Sequence, residues 1–338
     1  MSTQKTSPNG TEQKNGVKII FWGTPEFALP SLEGLIKNNY RVIALITKPD
    51  EPMGRGQKIT PPPAKKTAEK YGIRVLQPTK LDFDFKTAIS NFEPDLFVVA
   101  AYGKLIPKEI LDIPKYGAIN IHPSLLPRYR GPSPIQHTIL NGDKETGATL
   151  ILMDEKMDHG PIVASRQLEI RNPKSEILNS KITYPELHNK LAMLGAELLI
   201  ETLPRWLAGE IKPAPQDESK AVYCKMLKKE DGKIDWTKPA ENLERQIRAF
   251  LEWPGSYTFW QRGNNRLRLE IEAAEVANPK IPPFDTPGLV WQKDQTSLLV
   301  ETGRGSLCVI KVKLAGKKAA DAKEFLNGYK DIIGAILR

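Results

Sequence analysis

Cysteine and histidine are scarce in this sequence. Its 338 residues include two cysteines, Cys224 and Cys308, and four histidines. Two cysteines without C-x-x-C spacing cannot form a metal site by themselves, and the histidines show no H-x-x-x-H spacing, so we expect no metal. The low cysteine content also favours a reducing, intracellular setting over a secreted fold held by disulfides.

Long apolar segments and periodic proline or glycine are also missing. No apolar run approaches the roughly 18 residues that span a bilayer, and residues 1–15 lack the apolar core of an export signal. We therefore expect neither membrane insertion nor export, and predict a disordered tail over residues 1–15. The 28 prolines and 24 glycines are scattered, which excludes a collagen-like fibre. The chain length predicts about two globular domains.

Apolar runs alternate with helical segments in the first part of the chain. The runs at residues 17–22, 41–47 and 95–101 have no in–out alternation, which is typical of parallel strands covered on both faces. An amphipathic stretch at 186–207 predicts a long helix. This order predicts an α/β catalytic domain over residues 16–206, built on a Rossmann-like, doubly wound and mostly parallel sheet.

The sequence changes in character after residue 206. Residues 207–220 are polar and rich in proline, which predicts a linker, and short β-like runs follow. These runs predict a smaller, OB-like β-barrel over residues 221–338. The formal net charge is +9, and residues 219–338 hold 21 Lys and Arg against 15 Asp and Glu. This excess favours a polyanionic partner, but an excess this mild also fits a surface that is merely soluble.

The first strand ends in a turn that argues against nucleotide binding. Gly23 is the only glycine of the three that a dinucleotide fingerprint requires. Pro25 removes a backbone N–H donor, and Glu26 adds a negative charge where a phosphate would lie. We therefore read an ordinary strand-to-helix turn and disfavour a nicotinamide dehydrogenase.

Two polar residues stand out in a later buried strand. Asn120 and His122 are two residues apart, so both side chains project from one face near the strand end, where open α/β sheets bind ligands. The following strand ends in a turn with Asp154, Glu155, Asp158 and Gly160, which could bring a carboxylate beside His122. Without a serine or cysteine nucleophile, this set favours direct transfer between two bound substrates. A hydrogen-bonded core histidine followed by a surface loop is the alternative.

These residues lie within longer motifs that resemble the folate-dependent formyltransferases. NIHPSLLPRYRG at 120–131 is followed by MDHGP at 157–161. The chain is similar to the methionyl-tRNA formyltransferase branch over nearly its whole length, through IIFWGTPEFALPSL, TKPDEPMGRGQK, the tripeptide AYG, KIDW, IRAF, WPGSY and LAGKKA. Purine-pathway relatives have a Gly/Ser/Asn-rich phosphate loop after the first strand, and sugar-nucleotide relatives lack the GRGQK loop. Pro123 and Lys104 depart from the common pattern, and Lys104 adjoins the expected folate pocket.

The resemblance implies a reaction, a site and partners. A formyl group would move from the cosubstrate 10-formyltetrahydrofolate to the α-amine of methionine on initiator tRNA, through a tetrahedral intermediate and for translation initiation. Asn120, protonated His122 and Asp158 would be catalytic. The implied folate-binding residues are Gly103, Leu105, Ile106, Ser124, Leu125, Leu126, Pro127 and Asp154. The implied tRNA-binding residues are Arg55, Lys58, Lys225, Lys228, Lys229, Lys317 and Lys318. We further expect a cytoplasmic monomer.

Two other functions stay open at this point. The first is a formyltransferase that acts on a sugar nucleotide or another small amine. The second is an RNA-binding protein with a vestigial catalytic domain, which the presence of Asn120, His122 and Asp158 disfavours.

Overall fold

The computed structural model describes residues 16–54, 56–170, 181–277 and 285–338. They fall into two compact units, each considered by itself. Unit 1 lies within Met1–Pro134, Glu145–Arg171 and His188–Cys224, and unit 2 within Ile135–Lys144, Asn172–Leu187 and Lys225–Arg338. Among the described residues, the helices are too short or too polar to cross a membrane.

The helices and strands follow one another in a regular order. The α-helices of the described residues are α1 (Leu29–Lys37), α2 (Pro63–Lys70), α3 (Phe83–Ser90), α4 (Lys108–Leu111), α5 (Pro134–Asn141), α6 (Tyr184–Leu207), α7 (Ala240–Ala249) and α8 (Ala322–Gly328). The first nine strands are β1 (Lys18–Gly23), β2 (Arg41–Ile46), β3 (Glu51–Met53), β4 (Lys58–Thr60), β5 (Arg74–Leu76), β6 (Leu96–Ala100), β7 (Ala118–His122), β8 (Glu145–Leu152) and β9 (Ile162–Glu169). The later strands are β10 (Ser256–Arg262), β11 (Asn265–Val276), β12 (Val290–Trp291), β13 (Leu298–Glu301), β14 (Ser306–Leu314) and β15 (Ala319–Asp321).

Unit 1 is built on a seven-stranded sheet with the order β5-β2-β1-β6-β7-β8-β9. The first five strands in this order pair in parallel, whereas β7 pairs antiparallel with β8, and β8 with β9. The predicted Rossmann-like, mostly parallel sheet is therefore confirmed. The short β3–β4 hairpin forms a separate two-stranded sheet.

The core of unit 1 follows from its continuous apolar strands. Residues 19–22 of β1 and 96–98 of β6 have no exposed surface, because both faces of these central strands are covered. The Trp22 ring meets the rings of Phe97 and Tyr102 edge to face, with centroids 5.4 and 5.1 Å apart. This buried layer fixes the strand ends from which the candidate site is built.

Unit 2 is a curled antiparallel half-barrel. Its six-stranded sheet has the order β10-β11-β14-β13-β12, with β15 paired to β14. Residues near the C-terminus lie along both outer strands: Arg338 and Phe259 exchange two backbone hydrogen bonds of 2.9 and 3.0 Å, and the N–H of Leu337 donates to the Gly288 carbonyl at 2.9 Å. This terminal segment, residues 335–338, spans the seam between β10 and β12. The predicted small C-terminal β-barrel class is confirmed.

Helix α7 closes the core of unit 2. Leu243 and Ile247, four residues apart on one helical face, are buried with Trp236 and Trp260. The Trp236 indole N–H donates to the Thr258 hydroxyl at 3.0 Å, so its one polar group is satisfied in the apolar core.

The proline-rich segment at 207–220 makes defined contacts within unit 1. Ala214 and Ile162 exchange backbone hydrogen bonds of 2.7 and 2.8 Å at the start of β9. Gln216 is buried, with only 9% of its surface exposed. The segment therefore contributes a side chain to the interior of this unit.

Candidate active site

Strand β7 carries two polar side chains at the point where the strand pairing changes from parallel to antiparallel. It pairs in parallel with β6 and antiparallel with β8. Asn120 is partly buried and His122 is 4% exposed. Because they are two residues apart on a strand, both project from one face. Polar groups at such positions are stable only if they are hydrogen-bonded.

Asp158 is the common partner of these two side chains. Its Oδ1 accepts a hydrogen bond from Asn120 Nδ2 at 3.3 Å and lies 3.5 Å from His122 Nδ1. The side chains of His122 and Asp158 are 5% and 14% exposed, so their attraction is weakly screened. The structure therefore brings together the three residues to which the sequence assigns a catalytic role.

The two ring nitrogens of His122 have different surroundings. Nε2 lies 2.9 Å from the backbone carbonyl of Tyr129. A carbonyl oxygen only accepts, so Nε2 carries the hydrogen in this contact. Nδ1 faces the Asp158 carboxylate, which also accepts. Both N–H groups of a protonated imidazole thus have acceptors, and Nδ1 is the nitrogen on the side of Asn120.

The loop that carries Asp158 approaches the backbone of other segments closely. Asp158 has a φ of +50°, in the left-handed region. Its Oδ2 accepts a hydrogen bond from the Gly131 N–H at 2.8 Å. Gly131 has a φ of +114°, and a Cβ there would lie 2.4 Å from the Cys224 carbonyl oxygen. Glycine is therefore required at the position that donates to the carboxylate.

The implied folate-binding residues lie in three places in unit 1. Gly103, Leu105 and Ile106 follow β6; Leu105 is 68% exposed and Ile106 is buried. Ser124, Leu125, Leu126 and Pro127 follow β7, where Ser124 Oγ donates to the Arg128 carbonyl at 2.6 Å and the Leu126 N–H donates to Thr149 Oγ1 at 3.2 Å. The third place is Asp154, whose Oδ2 lies 2.6 Å from His159 Nδ1. Its carboxylate is thus already held by the turn that carries it.

Lys48 is a residue near this region that the sequence did not indicate. Gly103 has a φ of +78°, and its missing Cβ would lie 2.8 Å from Lys48 Nζ. The Lys48 carbonyl accepts a 2.8 Å hydrogen bond from Gln77 Nε2. This bond connects the segment after β2 to the segment after β5. The ammonium group thus lies beside the first implied folate-binding residue.

The implied tRNA-binding residues occupy separate loops. Arg55 lies outside the described residues, and the exposed Lys58 begins β4 in unit 1. Lys225, Lys228 and Lys229 lie at the start of unit 2, where Lys225 Nζ pairs with Asp231 at 2.7 Å. Lys317 and Lys318 are exposed in the turn between β14 and β15. No described contact joins the two unit 2 groups.

The loop after β7 is not the surface loop that its basic sequence suggested. Arg128 is exposed, but Tyr129 is 4% exposed and Arg130 is fully buried. Arg130 makes two hydrogen bonds to Glu218, at 3.0 and 2.6 Å, and one to Gln216 at 3.0 Å. The hydrogen bond from Arg130 holds the pKa of the Glu218 carboxyl below its ordinary value. The surface-loop reading is therefore wrong for Tyr129 and Arg130, since both are buried and the guanidinium is held by side-chain partners.

Cys224 lies beside this loop as a buried, weakly reactive thiol. Its Sγ contacts the Arg130 carbonyl at 3.2 Å, and burial raises the pKa of the thiol. Among the described residues, no three histidine, cysteine or acidic side chains are grouped as a metal site would require.

Two solved structures have a similar fold. HypX from Aquifex aeolicus, crystallised with tetrahydrofolic acid, superposes with a TM-score of 0.62 at 16% identity, covering 93% of this chain and 48% of HypX. This chain thus spans about half of HypX. WlaRD, described as a sugar 3N-formyltransferase, gives a TM-score of 0.61 at 20% identity, covering 89% of this chain and 99% of WlaRD. At these identities the likeness establishes the fold.

Sequence relatives are much more similar. A methionyl-tRNA formyltransferase of Citrifermentans bemidjiense is 42% identical over 323 residues, 95% of this chain and 96% of that protein. One from Bacillus velezensis is 40% identical over 322 residues, 95% of this chain and 97% of that protein. The formyl transferase family model matches residues 17–203, and the model of the formyl transferase C-terminal domain matches residues 226–330. With both domains and near-complete coverage, the chain belongs to the methionyl-tRNA formyltransferase family.

Proposed function

We propose that this protein transfers the formyl group of 10-formyltetrahydrofolate to the α-amine of methionyl-initiator tRNA. The product, N-formylmethionyl-tRNA, would serve translation initiation in the cytoplasm. One observation carries the proposal: Asn120 Nδ2 and His122 Nδ1 converge on Asp158 Oδ1, at 3.3 and 3.5 Å, in a chain whose relatives bear this activity in their names.

The acceptor amine needs little activation. A free α-amine has a pKa of about 7.7 to 8.0, and esterification of the carboxyl lowers it further, so much of the amine is a neutral nucleophile at pH 7. Attack on the formyl carbon produces a tetrahedral intermediate with a negative oxygen. The main task of the site is therefore to stabilise that oxygen, an effect of about 3 to 4 kcal/mol per prepositioned donor in acyl-transfer sites.

Asn120 and His122 are placed to donate to that oxygen. The Asn120 amide has two hydrogens, so it can donate to Asp158 and to the oxyanion at once. His122 is anchored through Nε2 on the Tyr129 carbonyl, and its Nδ1–H, 3.5 Å from Asp158 Oδ1, would be shared between that carboxylate and the oxyanion. Both donors would act together because they lie on one face of β7.

Asp158 has two roles in this proposal. Its Oδ1, 3.5 Å from His122 Nδ1, would orient the imidazole ring toward the reacting group. The carboxylate also accepts the proton that the attacking amine must lose and passes it toward the folate nitrogen as that nitrogen leaves. The Gly131 N–H donates to Oδ2, so the exchange would use Oδ1, the oxygen that faces Asn120 and His122.

The folate would bind beside this group, on the segments that follow β6 and β7. The exposed Leu105 side chain supplies an apolar surface for a flat pterin, and the held backbone at 124–127 supplies a rigid one. HypX, which shares the fold, was crystallised with tetrahydrofolic acid. These observations support Gly103, Leu105, Ile106, Ser124 to Pro127 and Asp154 as the folate-binding set.

We assign formyl transfer to residues 16–206, tRNA binding to residues 221–338, and the connection to residues 207–220. The exposed lysines of unit 2 and the net positive charge of that part of the sequence support contacts with tRNA phosphates. In unit 1, Lys58 and the adjoining Arg55 would contact the acceptor end. We propose a monomer, with one tRNA per chain.

A comparison of formyl acceptors tests the proposal. The full-length protein is supplied with 10-formyltetrahydrofolate and, in parallel, methionyl-initiator tRNA, uncharged tRNA, and an amino-sugar nucleotide. We expect formylation of the charged tRNA alone. Formylation of the sugar nucleotide instead would favour the small-amine alternative, and no transfer to any acceptor would contradict the enzymatic function.

A further inference from the structure

We infer that Gln216, held by Arg130, is a positioning residue that sets the place of Asp158 in the reaction. This inference rests on the proposed formyl transfer, because it concerns the carboxylate at the centre of that site. Gln216 is 58 residues from Asp158 in sequence and comes from the proline-rich segment at 207–220.

Gln216 supports the main chain of the loop that carries the carboxylate. Its Nε2 donates to the Asp158 carbonyl at 2.8 Å and to the Gly160 carbonyl at 2.8 Å. A side-chain amide has two N–H groups, so both are used on this loop. Gln216 is 9% exposed, and an unmade bond at such a position would leave buried polar groups unpaired.

Arg130 fixes which way the Gln216 amide points. Its Nε donates to Gln216 Oε1 at 3.0 Å, so the oxygen faces the guanidinium and the nitrogen must face the loop. Arg130 is itself fully buried, and Glu218 accepts from both of its terminal nitrogens while Tyr223 Oη accepts from one at 3.1 Å. The guanidinium therefore has one orientation available.

The same segment holds the carboxylate end of Asp158. The Gly131 N–H donates to Oδ2 at 2.8 Å. The Arg130 N–H donates to the Val222 carbonyl at 2.9 Å, and the Cys224 N–H donates to the Arg130 carbonyl at 2.8 Å, so this backbone is fixed on both sides. Residues 130–131 thus control Asp158 twice, through its side chain and, by way of Gln216, through its main chain.

The reaction depends on how Asp158 is held, because its backbone conformation is unfavourable and its carboxylate must contact two side chains. A φ of +50° is in the left-handed region, which costs energy for a residue with a Cβ, so the loop adopts it only where its surroundings enforce it. Oδ1 must also remain within reach of both Asn120 and His122. A displacement of about 1 Å at a reacting group can cost on the order of a hundredfold in rate.

The variant Gln216→Met tests the inference, because methionine keeps the length of the side chain and removes both hydrogen-bonding groups. With methionyl-tRNA and 10-formyltetrahydrofolate, we expect kcat to fall by about ten- to a hundredfold while KM for each substrate changes by less than about threefold. Gln167→Met, at an exposed glutamine on β9, is the matched control and should keep wild-type kcat. An unchanged kcat in Gln216→Met would overturn the inference.

A double-mutant cycle separates positioning from general destabilisation. If Gln216 acts through Asp158, then Gln216→Met should cost less than about threefold in an Asp158→Asn background, because the group it positions is no longer functional. Losses that multiply in the double variant would contradict the inference. Absence of formyl transfer by the wild-type protein would instead contradict the proposed function, so the two failures are distinct.

A milder variant covers the case in which Gln216→Met does not fold. Glu218→Gln keeps the size of the partner of Arg130 and removes its charge, at a side chain that is 59% exposed. We expect a kcat loss of about two- to tenfold, again absent in the Asp158→Asn background. A wild-type kcat, or a loss of the same size in both backgrounds, would contradict the role of Arg130.

Discussion

Asp158→Asn is the sharpest test of the candidate site. The substitution keeps the shape of the side chain, and the asparagine oxygen can still accept from the Gly131 N–H. It removes the negative charge 3.5 Å from His122 Nδ1. It also replaces one acceptor with an NH2 group, which cannot accept from the Asn120 amide.

The separation of the two groups sets the size of the effect. In the proposed mechanism His122 is protonated, and two unit charges at that distance attract by about 5 kcal/mol at an effective dielectric constant of about 20. Part of this energy is present before the oxyanion forms and does not lower the barrier. We therefore expect kcat to fall by between about a hundredfold and about a thousandfold, since about 1.4 kcal/mol corresponds to a factor of ten.

The assay measures initial rates of methionyl-tRNA formylation at saturating concentrations of both substrates. Glu155→Gln is the matched control, because it removes an exposed carboxylate from the same loop and should leave kcat within about twofold. The thermal unfolding midpoint of each variant confirms that the fold is intact. A kcat for Asp158→Asn within about fivefold of wild type would refute the assignment of this carboxylate to the reaction.

Three further outcomes are expected. Gly131→Ala places a Cβ 2.4 Å from the Cys224 carbonyl oxygen, at a residue with a φ of +114°. We therefore expect a lower unfolding midpoint and a kcat that falls by more than about tenfold. Wild-type values of both would contradict the steric argument. Burial raises the pKa of Tyr102 from 10.0 to about 12, so the tyrosine contributes stability below pH 10 that is lost as the pH rises toward 12. Its hydroxyl has no hydrogen-bond partner among the described residues, so Tyr102→Phe should not destabilise the protein at pH 7 and should reduce the loss of unfolding free energy in urea titrations at pH 11. The double variant Lys228→Ala/Lys229→Ala should weaken tRNA binding and lower the slope of log K against log salt by about two; an unchanged slope would exclude phosphate contacts at these lysines.

Continuous apolar strands made the first unit predictable from sequence. Residues 19–22 and 96–98 are buried on both faces, and a run without alternation has few other stable arrangements. Strand β9 did not emerge from the same reasoning, because it alternates partly buried and exposed residues at the edge of the sheet. Its pattern is that of an antiparallel edge strand, which a search for continuous runs does not detect.

In the second unit, helix α7 was not anticipated. Its sequence, AENLERQIRA, is mostly polar, and its apolar face consists of Leu243, Ile247 and small alanines. The buried Glu244 obscured that face further; it accepts two hydrogen bonds from Arg248, four residues later on the same helix, at 2.6 and 3.0 Å. Lys181 Nζ, 63 residues earlier in the chain, also lies 3.5 Å from Glu244 Oε1, so a tertiary contact helps to hold a carboxylate where the sequence pattern indicated solvent.

Some residues of the candidate site could be predicted from the sequence, and others could not. Asn120 and His122 could be placed on one face from strand periodicity alone, and motif resemblance added Asp158. Gln216 and the buried Arg130 could not be found, because their pairing joins distant segments and both occur in stretches whose composition is typical of exposed loops. Only the structure shows that a side-chain amide from the proline-rich stretch holds the Asp158 loop.

The seam of the half-barrel in unit 2 has a consequence for the order of folding during synthesis. Thr258 Oγ1 and the Arg338 carbonyl lie 3.3 Å apart but are 80 residues apart in the chain. Contacts this distant in sequence form late, because a long loop must close before any of them contributes. Until residues 335–338 have been added, Phe259 of β10 and the Val290 N–H of β12 lack their backbone partners. Ile234 covers part of the β10 edge, because its N–H donates to the Tyr257 carbonyl at 2.7 Å. A nascent chain that lacks residues 335–338 therefore exposes the rest of that edge and the edge of β12, and we expect it to be the species that chaperones or neighbouring chains encounter.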